Sequence, residues 1–201
     1  MISSPSGGGK STIARHLLDA REDVTYSVSA TTRPIRPGET NGSSYHFLAR
    51  PEFERRVADG EFIEWAEYGG HLYGTLRAEV EKGLAQGKHV VLDIEVSGAR
   101  QVRAKFPNSV HVFVLPPSAP VLMQRLRGRK TEDAAAVAKR LAIASQELLA
   151  AREYEYVVVN DDVVDAVAHV AAILDGEARR VRRLVNLDLV IENLRRDLAG
   201  Q

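Results

Sequence analysis

Nine residues near the start, Ser4-Pro5-Ser6-Gly7-Gly8-Gly9-Lys10-Ser11-Thr12, carry the chemistry of a phosphate cradle. They fit the pattern G-x-x-x-x-G-K-[ST], with Ser4 at the first glycine position. Glycines let backbone N–H groups converge on phosphate oxygens with no Cβ in the way. Lys10 supplies a point charge for the β- and γ-phosphates of a nucleoside triphosphate, and Ser11 a hydroxyl for Mg²⁺. The helix that begins there adds its N-terminal dipole. Pro5, Ser6, Gly7, Gly8, Gly9, Lys10, Ser11 and Thr12 are therefore candidate ATP-binding residues. A flexible glycine linker with an incidental lysine is the competing reading, and the helical pattern that follows at once counts against it. Ser4 starts the turn rather than lining the phosphate.

Two further groups fit this loop. His89-Val90-Val91-Leu92-Asp93 is an apolar strand ending in a carboxylate, which could hold Mg²⁺ or its water beside Ser11. Alone that signal is weak, because many buried strands end in aspartate. The stretch 27–47 holds Arg33 and Arg36, each followed by a stiffening proline, and Tyr45. Guanidinium forks held in place suit bidentate phosphate binding. From composition alone a solvated polar loop is an equally good reading of that stretch.

These residues need a frame, and the rest of the chain reads as α/β. Short valine-rich runs at Val24–Ser29, Val90–Ile94, Val110–Leu115 and Tyr156–Val159 suit the strands of a covered parallel sheet. Helical patterns fill the intervals at 11–20, 76–86, 98–105, 119–127, 132–152 and 163–181, with Gly87 suited to a C-terminal cap. The stretch Tyr45–Tyr73 breaks the alternation. Tyr45–Leu48 and Phe62–Tyr68 look like antiparallel strands, Gly69-Gly70 like a hairpin turn, and Pro51–Asp59 like a short helix opened by proline. Thr131 is a plausible N-cap for the helix after Gly128, with Glu132 and Asp133 in its first turn. Only Met1-Ile2-Ser3 precedes the phosphate loop. Either the first strand is very short or the chain starts late, and the sheet is expected to be weaker for it.

Composition bounds the function classes. The chain has 201 residues, 27 Lys plus Arg against 27 Asp plus Glu, 44% hydrophobic residues and no cysteine. Zero net charge argues against a nucleic-acid or anionic-membrane binder. The lack of cysteine excludes disulfides, thiolate nucleophiles and Cys-ligated zinc. No apolar run approaches the ~20 residues that cross a bilayer, and no signal peptide is visible. A cytoplasmic protein is expected.

Beyond the residues taken singly, the chain resembles guanylate kinases, P-loop nucleoside monophosphate kinases that transfer phosphate from ATP to GMP. The resemblance is carried by SSPSGGGKST at 3–12, SVSATTRPIRPGETNGSSYHF at 27–47, EFIEWAEYGGHLYGT at 61–75, VVLDIEVSGARQV at 90–102, RLRGRKTE at 125–132, KRLAIASQEL at 139–148 and YEYVVVNDD at 154–162. It implies a P-loop NTPase-type parallel sheet flanked by helices, carrying a small α+β GMP-binding insertion (30–75) and a helical lid (128–152). The core would comprise 1–29, 76–127 and 153–182, with a helical tail at 183–201. It implies GMP-binding roles for Ser29, Arg33, Arg36, Glu39, Tyr45 and Tyr73, and guanine reading by Glu64, Thr75 and Glu95. It further implies lid arginines Arg129 and Arg140 on the transferring phosphates, Asn160 near the adenine, and Mg²⁺ at Ser11 and Asp93. Lys10, Arg33, Arg36, Arg129 and Arg140 would be the catalytic set, with ATP and GMP or dGMP as the partners. Oligomeric state is not readable. Arg125 and Arg127 read as ordinary helix charges.

Departures from the family pattern are Glu95 for the usual Asp, Ser97 for Gln, and Lys130 where the lid turn usually has Gly. Two alternatives stand beside the kinase: a non-catalytic guanylate-kinase-like phosphopeptide-binding module, and a related small-molecule P-loop kinase. The retained Lys10, Ser11, Asp93, Arg129 and Arg140 weigh against the first. Glu64 and the GETNGSSY segment weigh against the second.

Overall fold

The computed structural model describes residues 1–127 and 134–200. In chain order the elements are β1 (Ile2–Ser3), α1 (Lys10–Ala20), β2 (Val24–Tyr26), β3 (Ala30–Thr31), β4 (His46–Phe47), α2 (Arg50–Ala58), β5 (Phe62–Tyr68) and β6 (His71–Leu76). There follow α3 (Arg77–Ala85), β7 (His89–Val91), α4 (Val96–Lys105), β8 (Val112–Leu115), α5 (Ala119–Arg127), α6 (Ala134–Leu149), β9 (Tyr156–Val159), α7 (Val163–Ala178) and α8 (Leu187–Ala199). Among the described residues no helix is long and apolar enough to cross a membrane.

The expected parallel sheet is present. β2 pairs with β7, and β1 pairs with β8, which pairs with β9, all parallel. The two-residue β1 joins these pieces. Ile2 donates to Leu92 O at 2.9 Å and accepts from Ile94 N at 3.3 Å, giving the strand order β2-β7-β1-β8-β9. Short as it is, the stub occupies the middle of the sheet, and the phosphate loop leaves from its end. The middle of the sheet is covered on both faces, which is why its strands read as continuous valine runs, whereas Val157 and Val159 of the edge strand β9 are exposed on one face. Val112 and Val114 pack with Ile13, Leu17 and Val170 on one side. Phe113 points the other way, onto Val96 and Ala150. Each such side chain contributes about 1.5–3 kcal/mol by leaving water.

A second sheet of order β4-β3-β6-β5 has β5 and β6 as an antiparallel hairpin through Gly69-Gly70, both at positive φ. Phe53 of α2 stacks on Phe62, with ring centroids 4.4 Å apart, to form this sheet's own small core. On β5 the register slips between Phe62 and Glu64: Phe62 opposes Leu76 but Glu64 opposes Thr75. The extra residue, Ile63, turns to the α4 side, where it packs with Ala99 and Val102. A bulge of this kind re-aims the next side chain, and here that side chain is Glu64.

Several sequence expectations need correction. The run Val24–Ser29 is not one strand. Ser27 N still bonds Val91 O at 3.0 Å, after which the chain crosses to the second sheet, where Ser29 O accepts from His46 N at 2.9 Å. The helix expected over 163–181 ends at Ala178. The helix expected through Arg152 ends at Leu149 and tightens into a 3₁₀ turn over Ala150–Glu153. Gly87 does cap α3, at φ 72° with Gly87 N on Leu84 O and Lys88 N on Gly83 O. Thr131, Glu132 and Asp133 lie outside the described residues.

Candidate active site

The loop between β1 and α1 is folded by its own short contacts. Gly8 N donates to Pro5 O at 2.8 Å, and Ser4, fully buried, packs its side chain where a Cβ on Gly8 would stand. Gly9, at φ 98°, is the N-cap of α1, and no side chain caps that helix. Thr12 N turns back to Gly9 O at 3.1 Å, which leaves the N–H groups of Lys10 and Ser11 to an anion. A Cβ on Gly9 would lie 2.2 Å from Asn160 Nδ2, which donates to Gly8 O at 2.9 Å. Glycine at position 9 is needed twice over, for its φ and for this close approach.

Lys10 is held by carboxylates. Its Nζ lies 2.8 Å from Glu95 Oε1 and 3.8 Å from Asp93 Oδ1. Burial alone would lower its pKa, but the two carboxylates outweigh burial and keep the ammonium charged. Asp93 is pushed up by burial, against the opposing pull of Lys10 and the Ser11 hydroxyl, which donates to Asp93 Oδ2. The other oxygen, Oδ1, is buried and makes no hydrogen bond among the described residues. A hydroxyl and a carboxylate with spare acceptor capacity, next to a phosphate cradle, fit a hard cation such as Mg²⁺ that takes one or two protein ligands and completes its shell with phosphate and water.

Across the cleft, Arg33 is buried. Its Nη1 and Nη2 fork onto Glu39 at 3.0 and 2.7 Å, and the guanidinium stacks on Tyr45 and Phe47 at 5.4 and 5.6 Å. Tyr45 meets Tyr73 edge-on at 6.1 Å. Arg36 is exposed, its backbone N–H on Glu39 Oε2. Glu39 thus ties the Arg33 guanidinium to the backbone of Arg36. Between this loop and α1 lies a cavity of about 500 Å³ lined by Ser11, Tyr26, Val28 and Ser43 among others.

Glu64 is the buried acid of the second sheet. Thr75 Oγ1 donates to its Oε1 at 2.7 Å. Burial pushes its pKa up, opposed by the hydrogen bonds from Thr75. Ser29 is half-buried where the chain crosses between the two sheets. Glu95, expected with Glu64 on a base, reaches the other way to Lys10, although its charge is still felt at Glu64.

A sequence profile described as "Guanylate kinase" matches residues 1–177. The chain belongs to the guanylate kinase family. The guanylate kinase of Symbiobacterium thermophilum is 50% identical over 183 residues, 91% of this chain and 87% of that protein. That of Rubrobacter xylanophilus is 53% identical over 162 residues, 81% and 85% of the two chains. The crystal structure of guanylate kinase from Anaplasma phagocytophilum has a TM-score of 0.79 at 34% identity, covering 96% of this chain and 92% of that one.

Within this guanylate kinase fold, three residues have places that the sequence did not announce. Arg125, read as a helix charge, reaches Gly8 O at 3.4 Å and Asn160 O at 3.3 Å, so it braces the phosphate loop. Asn160, expected near the adenine, holds Gly8 O of the same loop. Glu147 of α6 accepts from Ser6 N at 3.0 Å, while Arg140 Nη2 lies 3.4 Å from Ser6 Oγ. Ser97 is exposed. Arg129 and Lys130 lie outside the described residues. The i, i+7 spacing of Arg140 and Glu147, on one helix face, is the only sequence signal that could have paired them.

Proposed function

We propose that this chain transfers the γ-phosphoryl group of ATP to GMP, and to dGMP, giving ADP and the nucleoside diphosphate. The observation that carries the reading is the buried Glu64 carboxylate, seated by Thr75 in a protein whose first helix opens on an uncapped phosphate loop. Guanine offers two adjacent donors, N1–H and the 2-amino group, and a carboxylate accepts both. Adenine has an acceptor at N1 and no 2-amino group, so it leaves the buried acid unpaired, a mismatch worth ~10⁴-fold in favourable sites.

An oxygen of the GMP phosphate attacks the γ-phosphorus in line, a P–O bond forms, and the bond to the β-phosphate oxygen breaks, with no covalent enzyme intermediate. The protein's task is to position and to stabilise charge. Pro5 through Thr12 would wrap the donor phosphates, Lys10 exchanging Glu95 for phosphate oxygen. Arg33, Arg36, Tyr45 and Tyr73 would hold the acceptor phosphate, with Glu39, which forks onto Arg33, beside them in the GMP site. Ser29, Thr75 and Glu95 would sit around the base with Glu64. Arg140, already at Ser6, and Arg129 would meet the transferring group as the segment 128–152 closes over it and the insertion 30–75 brings GMP in. Ser11 and Asp93 would hold Mg²⁺, which when bound neutralises charge on the β- and γ-phosphates. Cytoplasmic nucleotide metabolism fits a cysteine-free chain with zero net charge.

A coupled ADP-release assay with Mg-ATP and GMP, dGMP, AMP or UMP tests this. Turnover with GMP and dGMP is expected, with AMP and UMP slower by orders of magnitude. No GMP-dependent turnover at micromolar enzyme would refute it.

A further inference from the structure

The seat of Glu64 is closed on one side by a helix, and one residue of that helix leaves a gap. Gly98 lies in the first turn of α4 and is buried. A Cβ built on it would stand 2.3 Å from Glu64 Oε2 and 2.9 Å from Glu64 Cδ, closer than real side chains come. The carboxylate thus occupies the volume that any other residue at position 98 would fill. Thr75 holds Oε1 on the opposite side, at 2.7 Å.

The strain of a methyl group there has few ways out. α4 is fastened to β5 along the same helix face: Gln101 Nε2 donates to Trp65 O at 2.7 Å, Gln101 Oε1 accepts from Trp65 N at 3.3 Å, and Lys105 Nζ donates to Ile63 O at 2.8 Å. Residues 98, 101 and 105 are spaced to share one face of a helix. Ile63 at the bulge packs on Ala99 and Val102 between these ties. The two backbones are therefore fixed, and the movable group is the end of the Glu64 side chain. Gly98 sits in helical backbone, where alanine is the better residue. Its backbone conformation does not require glycine.

We infer that Gly98 is a specificity-determining residue: its missing side chain is the space in which Glu64 stands, so position 98 decides whether a guanine edge can be read. The inference rests on Glu64 as the guanine acceptor. It also predicts a division between stability and function that a structural glycine would not show.

The test uses the full chain as wild type, Gly98→Ala, Glu64→Asp, Glu64→Gln and the Gly98→Ala/Glu64→Asp double variant. Each is assayed with Mg-ATP and either GMP or inosine monophosphate, whose base keeps N1–H but lacks the 2-amino group, and each is melted. For Gly98→Ala the expected result is a Tm equal to or above wild type and an ATP KM within twofold. The GMP kcat/KM falls at least ~30-fold, mostly in KM, and the preference for GMP over inosine monophosphate falls at least ~10-fold. Aspartate at 64 is one methylene shorter, and its carboxyl carbon takes the place of Glu64 Cγ, 3.5 Å from the added methyl group. It should therefore cost far less in the Gly98→Ala background than alone, or restore activity. The inference is overturned if Gly98→Ala keeps the wild-type base preference, loses both substrates equally, or shows the same penalty for Glu64→Asp as wild type. Glu64→Gln separates the two levels. If that variant also keeps the wild-type preference, guanine is read elsewhere, and the reading beneath fails together with the inference. If it loses the preference while Gly98→Ala does not, the inference alone fails.

Discussion

The backbone N–H of Ser6 donates to Glu147 Oε2 at 3.0 Å, joining the phosphate loop to a helix 141 residues away. That N–H belongs to the group a bound phosphate would use, so the carboxylate stands in the position of an anion. Burial, reinforced by the neighbouring Glu95, pushes Glu147 up to about 6.

Removing this occupant should favour nucleotide. Net hydrogen bonds to charged groups are worth about 1.5–3 kcal/mol, and water recovers part of that, so Glu147→Ala is expected to lower the Kd for ADP about threefold to tenfold. The sign of the pH dependence follows from release into solvent. A carboxyl at about 6 in the empty protein that returns to its ordinary value when displaced gives up a proton, so its contribution makes binding tighter as pH rises towards 6 and flat above. Calorimetry in two buffers should show less proton release for the variant than for wild type. Weaker ADP binding by Glu147→Ala would mean that the carboxylate belongs to the nucleotide site rather than competing for it.

Glu64 gives the acceptor a pH dependence of the same sign. Its pKa is raised by burial, and only the ionised form accepts two hydrogen bonds from guanine. In the Glu147→Ala background, which removes that residue's effect on the donor site, GMP KM should climb as pH falls through the raised value while ATP KM does not follow. The climb begins at a higher pH than an exposed glutamate would give. Glu64→Gln should show a high GMP KM with no such inflection. Parallel changes in both KM values would place the titration on the phosphates instead.

What the sequence disclosed depended on whether the signal was local. β5 over Phe62–Tyr68 and β9 over Tyr156–Val159 have the bounds that the apolar pattern implies, because strand period and flanking turns are local properties. The phosphate loop was legible because glycine, lysine and serine have to be contiguous there. The bulge at Ile63 was not, because register is a relation between two strands and leaves no trace in either alone. Arg125 reads as an ordinary helix charge, and Asn160 as a neighbour of the adenine rather than a support of the loop, for the same reason: their shared partner, the Gly8 carbonyl, lies more than a hundred residues away. Glu95 was legible as a departure, but its direction was not, since a longer side chain can turn towards Lys10 as readily as towards a base.

The shared carbonyl gives a third prediction. Asn160→Ala and Arg125→Met each remove one support from Gly8 O and should raise ATP KM about fivefold to tenfold, equivalent to about 1–1.4 kcal/mol, with GMP KM within twofold. Because both act on one atom, the double variant should lose less than the product of the single effects. Steady-state kinetics with each substrate varied in turn would check this. Multiplicative losses would show that the two supports act independently.

A last prediction concerns stability rather than catalysis. His111 is buried at the start of β8, with Ser109 Oγ 3.0 Å from its Nε2, Nδ1 without a hydrogen bond among the described residues, and the ring edge-on to Tyr154 at 5.9 Å. Burial, with Arg103 and the N-terminal ammonium nearby, lowers its pKa to about 3. An unfolded histidine takes up its proton near 6.5. Between those two values the unfolded chain binds a proton that the native protein refuses, so stability drops as pH falls from 6.5 towards 3, by up to about 1.4 kcal/mol per pH unit from this residue. Urea denaturation of wild type and His111→Gln at pH 5 and pH 7 isolates the effect, because the other histidines titrate in both proteins. Wild type should lose about 2 kcal/mol more than the variant between these two pH values. Equal losses would mean that His111 accepts its proton in the folded state, which a ring nitrogen enclosed without an acceptor should not allow.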